Sequence, residues 1–164
     1  MKISVASDHA GFKFKKHILQ YLSEHKIESI DLGTDNHSSV DYPDYAIKVA
    51  TQISTGVVDR GILICGTGIG MSIVANKFTG VRAALCHNMM MAEASRRHND
   101  ANILVLGGRI LSDDEVISIV KVWLDTAFDG GRHHERIEKI KAIEKAHGVA
   151  TDISLKSQEQ LEKS

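Results

Sequence analysis

Cysteine is scarce in this sequence, where Cys65 and Cys86 are the only two among 164 residues. Two thiols are too few for a disulfide framework, and both follow apolar runs, so we expect reduced thiols in the cytoplasm. The sequence also lacks any apolar run approaching the roughly 20 residues that a membrane span requires. Its start, MKISVASDHAG, has no long apolar core before a small-residue cleavage site, and we therefore expect no signal peptide.

An excess of charge of one sign is missing as well. Twenty basic residues stand against 21 acidic ones, for a net charge of -1, and no broad attraction to nucleic acids or membranes is expected. The apolar share is 43% and the charged share 25%, as in ordinary globular proteins. We predict one domain over residues 1–147, followed by a polar tail or peripheral helix over 148–164.

Short β-branched runs alternate with segments of helical periodicity. This pattern predicts strands over residues 3–5, 29–32, 61–65, 82–86 and 103–106. It predicts helices over residues 42–54, 69–77, 89–97 and 132–147, the first of them capped by Asp41. Two further helices are predicted from their apolar faces. One buries Phe14, Ile18, Leu19 and Leu22, and the other, capped by Ser112 or Asp113, buries Val116, Val120, Trp123 and Ala127. Alternation of this kind indicates an α/β fold, a Rossmann-like three-layer αβα sandwich with a five-stranded parallel sheet.

Ligands of such sheets bind beyond the carboxyl ends of the strands. The third predicted strand ends in Ile64-Cys-Gly-Thr-Gly-Ile-Gly-Met-Ser72, with glycines at 66, 68 and 70. These glycines allow the backbone to approach an oxyanion and aim N–H groups at it. The alternative is a tight strand-to-helix turn without a ligand, and this stretch alone leaves the two equal.

Cys65 opens that loop at a strand end that faces a helix N-terminus, where a thiolate is favoured. We therefore consider it a nucleophile or a proton-abstracting base, against the alternative of a buried structural thiol. Cys86 has no glycines beside it and is predicted to be structural.

Three further polar features each have a structural alternative. Asp8 and His9 follow the first strand, where Asp8 could simply cap a helix, and His98 near a helix end could be a surface residue. Arg132 and Arg136 share a helical face and could clamp a phosphate or simply be solvated. Metal binding is not expected, because His133 and His134 are adjacent and no other histidines or cysteines have ligand spacing.

Five motifs in this order resemble one known family, ribose-5-phosphate isomerase type B, which includes the galactose-6-phosphate isomerase subunits. They are SDHAGF, DYPDYA at 41–46, GILICGTGIGMSIVANKFTGVRA at 61–83, RRHNDANILVLGGR at 96–109 and GGRHHERI at 130–137. The resemblance runs to about His147. It implies interconversion of D-ribose 5-phosphate and D-ribulose 5-phosphate in the non-oxidative pentose phosphate pathway, without a cofactor.

The resemblance also implies roles for residues. Cys65 would move a proton between C1 and C2 of the open-chain sugar, and His98 would open the furanose ring. Asp8 and His9 would contact the substrate, and Tyr42 and Asp41 would form a wall of the pocket. The loop that would hold the enediolate oxygens consists of Gly66, Thr67, Gly68, Ile69 and Gly70. The substrate hydroxyls and phosphate would be bound by Asn99, Arg109, Arg132 and Arg136. The implied assembly is a homodimer with shared active sites, or a tetramer.

Three alternatives remain. A six-carbon substrate, allose 6-phosphate or galactose 6-phosphate, is less favoured, because Cys65 and His98-Asn99 complete the site without a different partner subunit. A binding module without catalysis would leave the thiol base superfluous. The sequence lacks the motifs of a cysteine-based redox enzyme or phosphatase, because it has no CxxC and no arginine closes the loop after the cysteine.

Overall fold

Strands and helices alternate along residues 1–147, the part of the chain that the computed structural model describes. The strands are β1 (Lys2–Ser7), β2 (Glu28–Asp31), β3 (Arg60–Cys65), β4 (Ala83–Leu85) and β5 (Ile103–Gly107). The helices are α1 (Phe12–Glu24), α2 (Tyr42–Ser54), α3 (Ile69–Ala75), α4 (Met89–Asn99), α5 (Asp113–Asp125) and α6 (Arg132–His147). The predicted elements are present within one or two residues at their stated ends. The predicted tail over 148–164 lies outside the described residues.

The five strands form one parallel sheet in the order β2-β1-β3-β5-β4. Side chains of β3 alternate between two layers, as the period of a strand requires. Ile62 and Ile64 pack in a core with α1, α4 and α5, whereas Leu63 and Cys65 pack in a second core with α2 and α3. The predicted three-layer αβα sandwich is confirmed.

Local sequence explains where the helices lie. Phe14, Ile18 and Leu22 recur at helical spacing and are buried on one face of α1. Ser112 and Glu115 form a capping box at the start of α5, so that of the two predicted caps Ser112 is the observed one. α5 ends at Asp125, and the prediction that it includes Ala127 is wrong, because Thr126 is already extended.

The start of α2 differs from the prediction in one detail. Asp41 is the N-cap residue, but among the described residues its carboxylate makes no capping hydrogen bond. Pro43, with its fixed φ in the first turn, marks the helix start instead. The side chain of Asp41 is exposed.

The order of the strands creates a crevice. β1 and β3 are neighbours whose following connections leave to opposite sides of the sheet. Such a switch point is where open α/β sheets bind ligands. The residues that follow β1 and β3 are therefore brought together at the carboxyl edge.

The helices within residues 1–147 include none with the length and apolar character to cross a bilayer.

Candidate active site

The turns after β1, β3 and β5 are joined by backbone hydrogen bonds. The N–H of Asp8 donates to the carbonyl of Ile64 at 3.2 Å, and the N–H of Gly108 donates to the carbonyl of Cys65 at 2.7 Å. The N–H of Arg109 donates to the carbonyl of Gly66 at 2.9 Å. Three segments that are far apart in sequence thus form one floor.

Cys65 lies at the centre of this floor. Its thiol is free and only 5% exposed, and its Sγ accepts a hydrogen bond from the backbone N–H of Gly68 at 3.2 Å. The turn therefore aims a backbone N–H donor directly at the sulfur.

Two glycines of the loop are required by its geometry. Gly68 has φ +82, and a Cβ there would lie 2.4 Å from Leu85 Cδ1. A Cβ at Gly70 would lie 2.5 Å from the ring of Tyr42, so this aromatic ring rests directly on the loop. The Arg109 side chain covers Gly66, with Nη1 3.5 Å from where a Cβ would be. The structure therefore brings Tyr42 and Arg109 to the predicted glycine loop.

Asp8 and His9 form the adjoining wall. Asp8 is 6% exposed, and its Oδ1 accepts the N–H groups of Ala10 at 2.9 Å and Gly11 at 3.1 Å. It shapes the turn before α1 rather than capping the helix, since the N-cap residue is Gly11. His9 Nδ1 accepts the backbone N–H of Val40 at 3.2 Å, which leaves the ring proton of the neutral imidazole on Nε2.

A second group of predicted residues surrounds the end of α4. His98 and Asn99 are exposed in its last turn, and Arg132 and Arg136 are exposed at the start of α6. The rings of His98 and His133 stack with centroids 4.5 Å apart and planes 11° apart. The packing of α6 against α4 therefore gathers these cations around two imidazoles.

Charge in this second group is partly neutralised by Asp129. Arg97 Nε donates to its carboxylate at 3.1 Å, and this hydrogen bond holds the pKa of Asp129 below its ordinary value. Burial lowers the pKa of His133, and the nearby His98, Arg132 and Arg136 lower it further. His133 is 8% exposed, and its Nδ1 has no hydrogen-bond partner within residues 1–147.

The structure brings together one group of possible metal ligands that spacing along the sequence does not indicate. Donor atoms of His98, Asp129 and His133 lie within 4.8 Å of one another, because the packing of α6 on α4 joins residues 31 and 35 positions apart. The lone pairs of imidazole lie in the ring plane, however, and two nearly parallel stacked rings do not aim them at one point. In this arrangement the group is a stacked histidine pair beside an ion pair.

The residues around Cys65 and the group at the end of α4 lie at opposite edges of the sheet. Arg82, just before β4, donates from Nε to the carbonyl of Asn99 at 3.0 Å, so the end of α4 sits at the amino edge. Cys65 is at the carboxyl end of the six-residue β3. At about 3.3 Å per residue, roughly 15 Å of strand separates the edges. Within one chain, the structure does not bring His98, Asn99, Arg132 and Arg136 to Cys65.

Sequence reasoning missed two residues that bear on the site around Cys65, namely Lys15 and Val40. Lys15 is 2% exposed on the buried face of α1. Its spacing of three and seven residues from Ile18 and Leu22 was a signal, because a lysine within an apolar helical face implies a buried partner. Val40 acts through its backbone N–H, for which the side chain gives no signal.

Comparisons with known proteins agree with this geometry. The family model described as Ribose/Galactose Isomerase matches residues 3–140. Ribose-5-phosphate isomerase B of Escherichia coli is 48% identical over 143 residues, 87% of this chain and 96% of its own length. Putative sugar phosphate isomerase YwlF of Bacillus subtilis is 53% identical over 145 residues, 88% of this chain and 97% of its own.

Solved structures show the same likeness. The structure of Clostridium thermocellum ribose-5-phosphate isomerase B has a TM-score of 0.88 and 52% identity, and the match covers 90% of this chain and 99% of that one. Sequence and fold agree over nearly the whole described part. The chain therefore belongs to the ribose/galactose isomerase family.

Proposed function

We propose that this protein is an aldose–ketose isomerase that interconverts D-ribose 5-phosphate and D-ribulose 5-phosphate through an enediolate. The observation that carries the proposal is the hydrogen bond from the Gly68 N–H to Cys65 Sγ at the β1/β3 switch point. Membership of the family and the relatives named ribose-5-phosphate isomerase B support the choice of reaction.

The chemistry requires a base, a place for developing charge, and an anchor for the phosphate. The Cys65 thiolate takes the proton from C2 of the open-chain aldose and returns it to C1, while the hydroxyl proton of O2 is transferred to O1. As the proton leaves, negative charge grows on the sugar oxygens, and we assign backbone N–H groups of the 66–70 loop to receive it. Arg109, whose side chain covers Gly66, contributes a hydrogen-bond donor beside that loop, and we assign His9, with its proton on Nε2, to contact the substrate.

The remaining functions fall to the group at the end of α4. We assign ring opening to His98, a sugar hydroxyl to Asn99 and the phosphate to Arg132 and Arg136. Because these residues lie at the other edge of the sheet from Cys65, one chain cannot apply both groups to one five-carbon sugar. We therefore propose a homodimer in which each site takes Cys65 from one chain and His98 from the other.

Exposed apolar side chains support that assembly. Ile69 and Ile73 of α3 are 53% and 58% exposed, and Met89 and Met90 of α4 are 52% and 74% exposed. α3 begins at Ile69, within the glycine loop, so its exposed side chains border the Cys65 group. Exposed large apolar side chains of this kind are candidates for contact with a second chain.

The proposed location is the cytoplasm. Both cysteines are free, and the base requires a reduced thiol. The substrate is a small sugar phosphate, and neither nucleic acid nor membrane has a place in the proposal.

A reaction in D₂O tests the function. Incubation with D-ribose 5-phosphate should give ribulose 5-phosphate, with solvent deuterium at C1 of the ketose and at C2 of the recovered aldose. Parallel rates with allose 6-phosphate and galactose 6-phosphate should be much lower. Binding of ribose 5-phosphate without product or deuterium exchange would contradict the proposal in favour of a binding module, and faster turnover of a six-carbon sugar would reassign the substrate.

A further inference from the structure

Lys15 is an ammonium group enclosed by the fold. It lies in the first turn of α1 and is only 2% exposed, although lysine is among the residues least often buried. Its Nζ lies 2.7 Å from each carboxylate oxygen of Asp31 and 2.6 Å from the carbonyl oxygen of Thr34. These three acceptors match the three donors of an ammonium group.

Through these bonds Lys15 fastens the start of the loop that follows β2. Asp31 Oδ1 also accepts the N–H of Gly33 at 2.9 Å, and a Cβ at Gly33 would lie 2.6 Å from Lys15 Cδ. The N–H of Thr34 donates to the carbonyl of Ser7 at 3.1 Å. The loop therefore leaves the sheet from a point held by both α1 and β1.

The other end of this loop forms part of the candidate site. The N–H of Val40 donates to His9 Nδ1 at 3.2 Å, and two residues later Tyr42 rests on Gly70. A donor at Nδ1 is compatible only with a ring whose proton is on Nε2. The position of Val40 therefore decides which ring nitrogen of His9 carries the proton and can donate a hydrogen bond.

We infer that Lys15 is a positioning residue, which holds the 32–41 loop so that Val40 fixes the tautomer of His9 in the proposed isomerase site. The inference rests on the proposed function only where it states that Lys15 affects turnover. The tautomer of His9 is a property of the free protein and can be measured without substrate.

The test uses ¹⁵N NMR of the histidine rings in the full chain together with the isomerase assay. In the wild type, His9 Nδ1 should resonate as an unprotonated nitrogen and Nε2 as a protonated one. Lys15→Met keeps the length of the side chain and removes its charge. It should shift His9 toward a mixture of tautomers and lower kcat/KM by about tenfold or more, because small displacements of positioning groups are costly to catalysis.

Two further variants separate positioning from folding. Lys16→Met makes the same change at the exposed neighbour on α1 and should leave both readouts as in the wild type. Lys15→Met/Asp31→Asn also removes the carboxylate charge that the single variant leaves unpaired. It should recover thermal stability while the His9 signals and kcat/KM stay altered.

Each result bears on the inference. A protonated Nδ1 in the wild type overturns it at once, whether or not the variants fold. It is also overturned if a folded Lys15→Met or double variant keeps the wild-type His9 signals, even with a lowered melting temperature, since that pattern shows a structural role alone. Failure of the wild type to isomerise would instead refute the proposed function and leave the NMR test of Lys15 in force.

Discussion

The backbone N–H of Gly68 points at Cys65 Sγ from 3.2 Å, within a turn that also holds Arg109 and Tyr42 against its glycines. Within residues 1–147 the second cysteine has no such donor from a glycine loop. Cys86 is 1% exposed in the opposite core, and burial raises the pKa of its thiol to about 11. The two thiols therefore have different surroundings, one beside a backbone donor of the glycine loop and the other enclosed among the side chains of the opposite core.

Replacing each cysteine by alanine should separate these roles. Cys65→Ala should lower kcat for ribose 5-phosphate by about 100-fold or more, because it removes the proposed base. Substrate binding, followed by calorimetry, should persist, since the phosphate anchor is untouched. Cys86→Ala should keep near-normal turnover and cost about 1 kcal/mol of stability for a small core cavity. Near-normal turnover in Cys65→Ala would show that the base is another group.

The conformation of Gly68 can be tested against a glycine with the same backbone but open surroundings. Gly68 and Gly80 have φ +82 and +76, and among the described residues nothing lies within 4 Å of a Cβ at Gly80. Gly80→Ala should cost about 1–2 kcal/mol for the left-handed conformation alone.

Gly68→Ala adds a clash with Leu85 and should cost about 3 kcal/mol or more, with turnover lost because the donor to Cys65 is displaced. Urea denaturation and the isomerase assay on both variants measure these effects. Equal losses of stability would show that the approach of Leu85 imposes no constraint.

The floor around Cys65 could be predicted because its parts are local in sequence. A buried apolar strand followed by a glycine-rich turn places Cys65 without reference to the rest of the chain. Parallel strands then bring Asp8 and Arg109 to the same edge, whatever the details of packing.

The second group could not be placed in the same way. His98 lies in the last turn of α4, which carries it back to the amino edge, while the resemblance assigned it to the same chemistry as Cys65. Its stacking on His133 depends on how α6 docks on α4, which no periodicity encodes. Lys15 was missed because its partners, Asp31 and Thr34, lie 16 and 19 residues further along the chain.

The buried His133 predicts a dependence of stability on pH. Its pKa is lower in the folded protein than the ordinary value near 6.5, so below about pH 6.5 the unfolded chain binds more protons than the folded one. Stability from this residue is therefore present at neutral pH and is lost as the pH falls below 6.5. Urea unfolding of the wild type at pH 7.5 and 5.5 should show this loss.

His134, the neighbour of His133, provides the matched control for this pH dependence. His133→Asn should reduce the change in unfolding free energy between the two pH values, because it removes the group that titrates. His134→Asn, at a side chain that is 63% exposed, should leave the change as in the wild type. Equal pH dependence in both variants and the wild type would exclude His133 as its source.

Mixing two inactive variants tests whether the active site is shared. Cys65→Ala and His98→Asn should each lose activity in a homodimer, because every site then lacks the base or the ring-opening group. In a mixed dimer, one site would combine both defects and the other would combine an intact Cys65 with an intact His98. If subunits of an equal mixture exchange at random, half of the dimers are mixed, and activity should return to about one quarter of the wild-type value.

The mixture is best unfolded and refolded together before the assay, with each variant treated alone as the control. If both groups of one chain acted on the same sugar, every chain in the mixture would carry a defect, and the refolded mixture would stay as inactive as its components.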